Sequence, residues 1–433
     1  MATIIDPSDS NRYEVVQVKN FDTVPLSVVI NPANATPTPA TDAFNRLRTS
    51  GPLTLFDSSH RYSDNGLWVN SITSGGTATF NANEGLVDLA VTTTSGSEII
   101  RETTKVFSYQ PGKSLLVLNT FIFNSAKTNL RQRVGYFGSD NGIYFEQAGT
   151  TLNFVERSSV TGAPSETRIS QSNWSIDRLD GTGPSGITLD TTKAQILWMD
   201  IEWLGVGSVR IGFVIDGKFI HCHTFQHANR ISSTYITTAT LPLRYEITNT
   251  GLTTSSSTLK QVCSTVISEG GYELRGLQQS IGTPITSRYQ LSTAGTFSPV
   301  VSIRLKSSPD RLDAIVIITA ISCIADTASN FNWQLRSNAT TTGGSWVSAG
   351  TNSSVEYNIT GTSTAGGRIL AGGYFTSTAS TSVSVDVLRA ALFSFQLERN
   401  KFTSTPYEIT LAITAKTSSE YVYGALDWEE ISR

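Results

Sequence analysis

Apolar side chains recur at every second position through most of the chain, the spacing that turns one face of a β-strand into a core and leaves the other to solvent. Val301, Ile303 and Leu305 alternate with Ser302, Arg304 and Lys306; Phe331, Trp333 and Leu335 alternate in the same way, as do Phe393, Phe395 and Leu397. Further strands are predicted over Leu115 to Phe123, Leu130 to Phe137, Ile143 to Gln147 and Leu152 to Arg157, separated by the turns Asp140-Asn141-Gly142 and Ala148-Gly149. Few windows carry the 3.6-residue period of a helix. The pattern therefore predicts an all-β protein, and β-sandwiches fit it better than any alternation of strands and helices.

The segment Val209 to Phe225 predicts a hairpin turning at Asp216-Gly217, a pair that takes the positive φ angles of a type I′ turn. That turn sets Phe213 opposite Ile220 and Ile211 opposite Cys222 on a core face. Gly212 then faces His221, and Arg210 faces His223, on an open face. Just upstream, alternation through Trp198-Met199-Asp200-Ile201-Glu202-Trp203 puts Trp198, Asp200 and Glu202 on one side and Leu197, Met199, Ile201 and Trp203 on the core side.

A chain of 433 residues exceeds what one hydrophobic core supports, so more than one domain is expected. Residues 1–43 read as an extended attachment arm, with short strand-like stretches at Tyr13 to Val18 and Val24 to Ile30 followed by the proline-rich run Asn31 to Pro39. Two such strands are too short to stand alone, and an edge on another subunit or another protein is the expected partner. Residues 44–275 read as one β domain and residues 276–433 as a second, with a hinge-like stretch from Glu269-Gly270-Gly271 to Gly282 between them. The longest apolar run, Ala314 to Ala325, is β-branched and well short of the ~20 residues of a membrane-spanning helix, so it reads as a buried core strand.

Charged residues make up 15% of the chain, below the roughly 25% of ordinary soluble domains. Its polar surface is therefore expected to be hydroxyl and amide. A net charge of −3 without a block of Lys or Arg provides no counterion-release term, which argues against nucleic acid as a partner. Met1 to Pro7 carry neither a basic nor an apolar signal region, so a secretory leader is not expected. Cys222, Cys263 and Cys323 are odd in number and far apart, and buried free thiols are expected rather than a disulfide framework.

Gly181, Gly183 and Gly186 spell GxGxxG, but no strand precedes and no helix follows, so a tight loop is expected rather than a dinucleotide site. His221 and His223 share a strand face with His227 nearby, a metal geometry that lacks an adjacent carboxylate. No metal and no cofactor is assigned. The stretch around Asp200 and Glu202 resembles the Glu-x-Asp-x-Glu strand of laminarinase-type glycoside hydrolases. Trp198 stands at the nucleophile position, so the covalent step of a retaining hydrolase has no carboxylate there. The chain is expected not to be an enzyme. The row of Trp198, Asp200, Glu202, Arg210, His221 and His223 reads instead as a candidate glycan-binding face, with Trp198 as its aromatic platform.

Arg133-Val134-Gly135-Tyr136-Phe137, Trp203-Leu204-Gly205-Val206-Gly207 and Gly217-Lys218-Phe219-Ile220 resemble a concanavalin-type, laminin-G-like jelly roll. Ala43-Phe44-Asn45-Arg46-Leu47-Arg48, Leu55-Phe56-Asp57-Ser58, the stretch from Trp174 to Asp190, Leu241 to Ile247, Gly343-Gly344-Ser345-Trp346 and Ala425 to Glu430 resemble structural proteins of tailed phages, notably marine and cyanobacterial ones. This resemblance covers about residue 43 to the end. It implies a virion protein, in tail fibre, baseplate, collar or capsid decoration, assembled in the host cytoplasm by symmetric association with its own copies and other virion proteins. Host surface glycans are the further partner expected, from the jelly-roll resemblance and the polar row around Trp198, with no insertion into a membrane.

Overall fold

The computed structural model describes backbone and side chains for residues 51–376 and 394–431, and backbone alone for residues 3–5, 12–19, 25–29, 381–382, 392–393 and 432. The chain divides into two compact units, Met1–Gly51 and Pro52–Arg433.

In the first unit β1 (Thr3–Ile5), β2 (Arg12–Lys19) and β3 (Pro25–Val29) form an antiparallel sheet in that order. Ile4 lies opposite Tyr13 and Gln17 opposite Ser27. Each of these strands finds a ladder partner within this unit. Asn31 to Pro39 lie outside the described residues.

The second unit begins with β4 (Leu53–Ser59), β5 (Trp68–Thr73), β6 (Thr77–Asn81), β7 (Leu86–Val91), β8 (Glu98–Thr103), β9 (Leu115–Ile122), β10 (Leu130–Phe137), β11 (Gly142–Ala148), β12 (Thr151–Ser158), β13 (Ser165–Ser170), β14 (Gln195–Ile201), β15 (Val209–Ile215), β16 (Lys218–Phe225), β17 (Leu243–Asn249) and β18 (Ser257–Ser268). They form two antiparallel sheets. One runs β13-β12-β11-β10-β17-β8-β5; the other runs β16-β15-β14-β9-β18-β7-β6, with β4 also on β18. Strands far apart in sequence are neighbours, β17 between β8 and β10 and β9 between β14 and β18, so the chain crosses repeatedly between the sheets in a jelly roll. The core between them holds Val117, Phe121, Phe145, Leu197, Met199, Phe213 and Tyr245, all buried.

The hairpin turns at Asp216 and Gly217, with φ of 52° and 73°, the left-handed pair that a type I′ turn requires. Phe213 faces Ile220 and Gly212 faces His221 as expected. A bulge between Ile211 and Gly212 then shifts the register, so Ile211 faces His223 and Arg210 faces Thr224. The expected pairs Ile211–Cys222 and Arg210–His223 are thereby corrected. The cause lies on the edge of β16, where the Cys222 carbonyl accepts the Ile176 and Asp177 N–H groups at 3.0 and 3.2 Å, leaving Cys222 as the extra residue of the bulge. Its thiol stays in the core.

The remaining strands are β19 (Leu277–Gly282), β20 (Tyr289–Leu291), β21 (Ser298–Leu305), β22 (Ile315–Ala325), β23 (Asn330–Thr342), β24 (Val347–Ser348), β25 (Val355–Asn358), β26 (Ser363–Thr376), β27 (Thr381–Ser382), β28 (Arg399–Asn400), β29 (Thr405–Pro406), β30 (Glu408–Ala415) and β31 (Glu420–Ser432). A sheet β19-β31-β22-β27, with β20 on β31, faces a sheet β24-β25-β21-β30-β23-β26 across a second core of Ile303, Leu335, Leu411, Ile413, Leu426 and Trp428. The apolar run Ala314 to Ala325 is β22, its first half buried. Leu392–Phe395 is a 3₁₀ turn, which corrects the strand expected through Phe393, Phe395 and Leu397. Phe395 and Leu397 both still enter the second core, so burial alone produced the alternation.

The stretch read as a hinge is tied down. The Glu269 N–H donates to the Ser114 carbonyl at 2.9 Å, Ser268 Oγ to the Gly271 carbonyl at 2.6 Å, and residues from Leu277 onward are already strand. Where the two sandwiches meet, the fully buried Arg399 reaches Glu102 at 2.7 Å and Asp313 at 3.0 Å, and donates to the Thr103 carbonyl. Lys105 pairs with Glu398 at 3.5 Å, and Val106, Ile315 and Ile317 form a small apolar seam beside them.

Candidate functional site

Strand β14 behaves as its alternation dictates. Leu197, Met199 and Ile201 enter the core, while Trp198 and Asp200 lie on the outer face opposite Gly212 and Arg210 of β15. Arg210 donates to the Asp200 carboxylate, which is buried, whereas the Arg210 side chain is 57% exposed. Glu202 follows the strand and accepts from the N–H and Oγ of Ser208 at 3.2 and 3.3 Å. Asp200, Glu202 and Arg210 line one cleft of about 430 Å³ together with Tyr109, Lys113, Leu204 and Ser208.

The other three members of the expected row are elsewhere. Trp198 is only 5% exposed, which corrects its assignment as an open platform. Gly212 is the reason: a side chain there would meet the Ile220 carbonyl at 2.0 Å, so the position is bare, and Trp198 Nε1 donates across to that same carbonyl at 3.3 Å. The rings of Phe219 and His221 close over the indole, with centroids 5.6 and 5.7 Å away. Of these three rings it is Phe219 that is exposed.

His221 Nε2 donates to the His223 carbonyl at 3.1 Å and lies 2.9 Å from the Thr224 hydroxyl. His223 is buried, and its Nδ1 accepts the Ser175 N–H at 3.2 Å, which requires an unprotonated nitrogen there. Burial, with some repulsion from His221, lowers the His223 imidazole to about 4. Burial also lowers His221. Neither ring faces a carboxylate ladder, and His227 pairs with Glu156 instead. Among the described residues no group of three or more His, Cys, Asp or Glu is placed to hold a metal ion.

A second cleft of about 580 Å³ shares Tyr109 and Lys113 with the first and adds Gln110, Trp203, Glu273 and Arg275. Tyr109 and Trp203 meet edge to face at 6.1 Å, and Trp203 Nε1 donates to the Ile236 carbonyl at 3.3 Å. Alternation predicts Trp203 in the core and gives no signal for Tyr109 or Lys113. The available signal was the Pro111-Gly112 turn, which ends one crossing and lifts its flanking side chains to the sheet end.

The outer face of the other sheet carries a ladder of charges that alternation also missed. Glu146 accepts from Arg133 and Arg168, Glu246 from Arg133 and Arg244, and Glu166 from Arg133, Arg157, Arg168 and the Tyr144 hydroxyl. Because these groups satisfy one another, this face offers little unspent polarity to a ligand. The GxGxxG stretch is a loop, as expected, closed by Asp177, whose carboxylate accepts from Leu179 N and Ser185 N.

Fold and clefts together define the class: a jelly-roll β-sandwich joined to a second β-sandwich. No protein-family model matches the chain, and no curated protein matches it. Among solved structures it is similar to a GH16 protein of a mixed linkage glucan PUL from Bacteroides ovatus, at 10% identity over 49% of this chain and 99% of that one, with a TM-score of 0.35. It is similar to arcelin-5, a lectin-like defence protein from Phaseolus vulgaris, at 10% identity over 51% of this chain and 99% of that one, with a TM-score of 0.31. A conserved carbohydrate esterase from a Shiga toxin-encoding bacteriophage is 12% identical over 51% of this chain and 100% of that one, with a TM-score of 0.30.

Proposed function

We propose that the first sandwich is a carbohydrate-binding module without hydrolytic chemistry. The observation that carries this is the convergence of Lys113, Asp200, Glu202 and Arg210 on one cleft that continues, through Tyr109, into a second cleft walled by Trp203. Sugars are held by a few fixed polar groups aimed at hydroxyls and by aromatic surface against their C–H faces. The two-carboxylate machinery of a retaining hydrolase is incomplete on β14, where Trp198 occupies the nucleophile position and Asp200 is tied to Arg210. On a glycan array the full chain is expected to bind a defined subset of oligosaccharides. Lys113→Met with Glu202→Gln, each removing a hydrogen bond to a charged group, should weaken that binding about tenfold or more. Uniform silence of the array, or unchanged binding by the double variant, would refute the module.

A second reading places this module on a tailed-phage particle, with residues 1–43 as its attachment segment and copies of the chain or other virion proteins as neighbours. What favours it is β26, a 14-residue strand at the end of its sheet with most of its residues exposed, an edge that assembly can cover. Purified particles are expected to contain the chain in stoichiometric amounts, and a chain starting at Asp42 is expected to be absent from them. Detection of the full chain in lysate alone would remove this reading.

A further inference from the structure

The loop that supplies Glu202, Leu204 and Ser208 to the first cleft is held from upstream by Tyr109, edge to face on Trp203, and from downstream by the segment around Tyr235. Tyr235 N–H donates to the Gly205 carbonyl at 2.9 Å, and the Tyr235 hydroxyl donates to the Glu202 carbonyl at 3.1 Å. Within the loop, Gly207 N–H donates to the Trp203 carbonyl at 2.7 Å and Glu202 N–H to the Ser208 carbonyl at 3.0 Å. Trp203 Nε1 donates to the Ile236 carbonyl, and a further tie is His227, whose buried ring stacks on Tyr235 with centroids 4.0 Å apart and planes 6° from parallel.

Both nitrogens of that ring face acceptors. Nδ1 is 2.5 Å from the Gly207 carbonyl, and Nε2 is 2.7 Å from Oε2 of Glu156 on β12. A carbonyl accepts only, and so does an ionised carboxylate, so the arrangement holds two protons: one on Nδ1 and one between Nε2 and Glu156. A neutral imidazole beside an ionised Glu156 satisfies one of these acceptors and leaves the other bare. We propose that His227 is a pH-sensitive latch on loop 202–208, keeping the cleft formed while the His227–Glu156 pair retains its second proton and releasing the loop when that proton leaves. The consequence for ligand binding rests on the carbohydrate-binding reading above; the latch itself does not.

The groups around the ring support this direction. Burial pushes His227 down, but the hydrogen bonds its ring donates to Glu156 and Gly207 and the Glu156 charge outweigh it, so its imidazole is raised above the ordinary 6.5. The ionisable groups acting on the stacked Tyr235 are Glu156, Tyr109, Tyr136 and Glu202, all of which favour a cation at this place or are neutral near pH 7. With the folded value above the unfolded one, the latch contributes fully below about pH 6.5 and is lost as pH rises through the folded value. His60, His221 and His223 are all lowered, so of the four histidines only His227 is expected to titrate above 6.5.

Two measurements on the full chain test this. In an NMR titration one histidine should titrate above 6.5 and vanish in His227→Gln. Hydrogen exchange of residues 202–208, corrected for intrinsic rates, should show protection falling about tenfold from pH 6 to alkaline pH, the scale of losing one charge-assisted hydrogen bond. Glu156→Gln, which keeps an acceptor and removes the charge, should move that transition to lower pH. Protection that is flat with pH in the wild type, or a transition unmoved by Glu156→Gln, overturns the latch. An exchange transition in a chain that binds no glycan at pH 6 supports the latch and overturns the carbohydrate reading.

Discussion

Arg399→Ala is expected to cost roughly 3–5 kcal/mol and to separate the unfolding of the two sandwiches into distinct steps. Arg399 is 1% exposed and sits where both sandwiches close over it. It satisfies Glu102 Oε1, Asp313 and the Thr103 carbonyl, three acceptors from both sides of the junction. Alanine leaves Glu102, also 1% exposed, with Arg244 alone, and strips the donor from the Thr103 carbonyl. Breaking a buried pair costs far more than the pair contributes over an apolar substitute, because the remaining charge stays desolvated. Lys401→Met is the contrast. Its partners Asp310 and Asp313 are 58% and 42% exposed, and water takes over their solvation, so a change below about 1 kcal/mol is expected. Urea unfolding followed by calorimetry distinguishes the two, and a single unchanged transition for Arg399→Ala would show that the seam of Val106, Ile315 and Ile317 suffices.

A loss of similar size, roughly 3–5 kcal/mol, is expected for Arg133→Ala in the charged ladder of the first sandwich. Arg133 stands opposite Glu146 on β11 and Glu246 on β17, at 2.8 and 3.3 Å, and reaches Glu166 at 3.4 Å. Three carboxylates thus share one guanidinium at the middle of the sheet. The variant should also unfold more readily in acid. Burial works to raise the Glu166 carboxyl, but the hydrogen bonds from Tyr144 and Arg157 and the charges of Arg133 and Arg157 outweigh it and bring it to about 2. A carboxyl with a depressed folded value stabilises fully above its unfolded value near 4.5, and that contribution is lost as pH falls through about 2. Without Arg133 the depression shrinks, and acid unfolding should begin at higher pH. An acid transition that does not move would mean that Arg157 and Tyr144 alone hold Glu166.

The fold class, most strand positions and the main turn are legible along the chain, because these rest on local rules. Alternation through Leu197, Met199 and Ile201 names a core face whatever the neighbours are, and Asp216-Gly217 turns a hairpin by backbone preference alone. Half of the candidate row was legible for the same reason: Asp200, Glu202 and Arg210 share a side by parity and do meet in one cleft. The rest depends on contacts between distant segments. The bulge at Cys222 depends on N–H groups of Ile176 and Asp177, more than forty residues upstream, and it carried His223 off the face that counting assigned to it. Trp198 was covered by side chains from another strand, and Tyr109, Lys113 and Trp203 came together from loops on different crossings. Glu156 met His227 across 71 residues, and Arg399 met Glu102 across 297. Parity along a strand sets which way a side chain points, but what it meets depends on which distant strand the sheet order places beside it, and that order is fixed by the packing of the whole core.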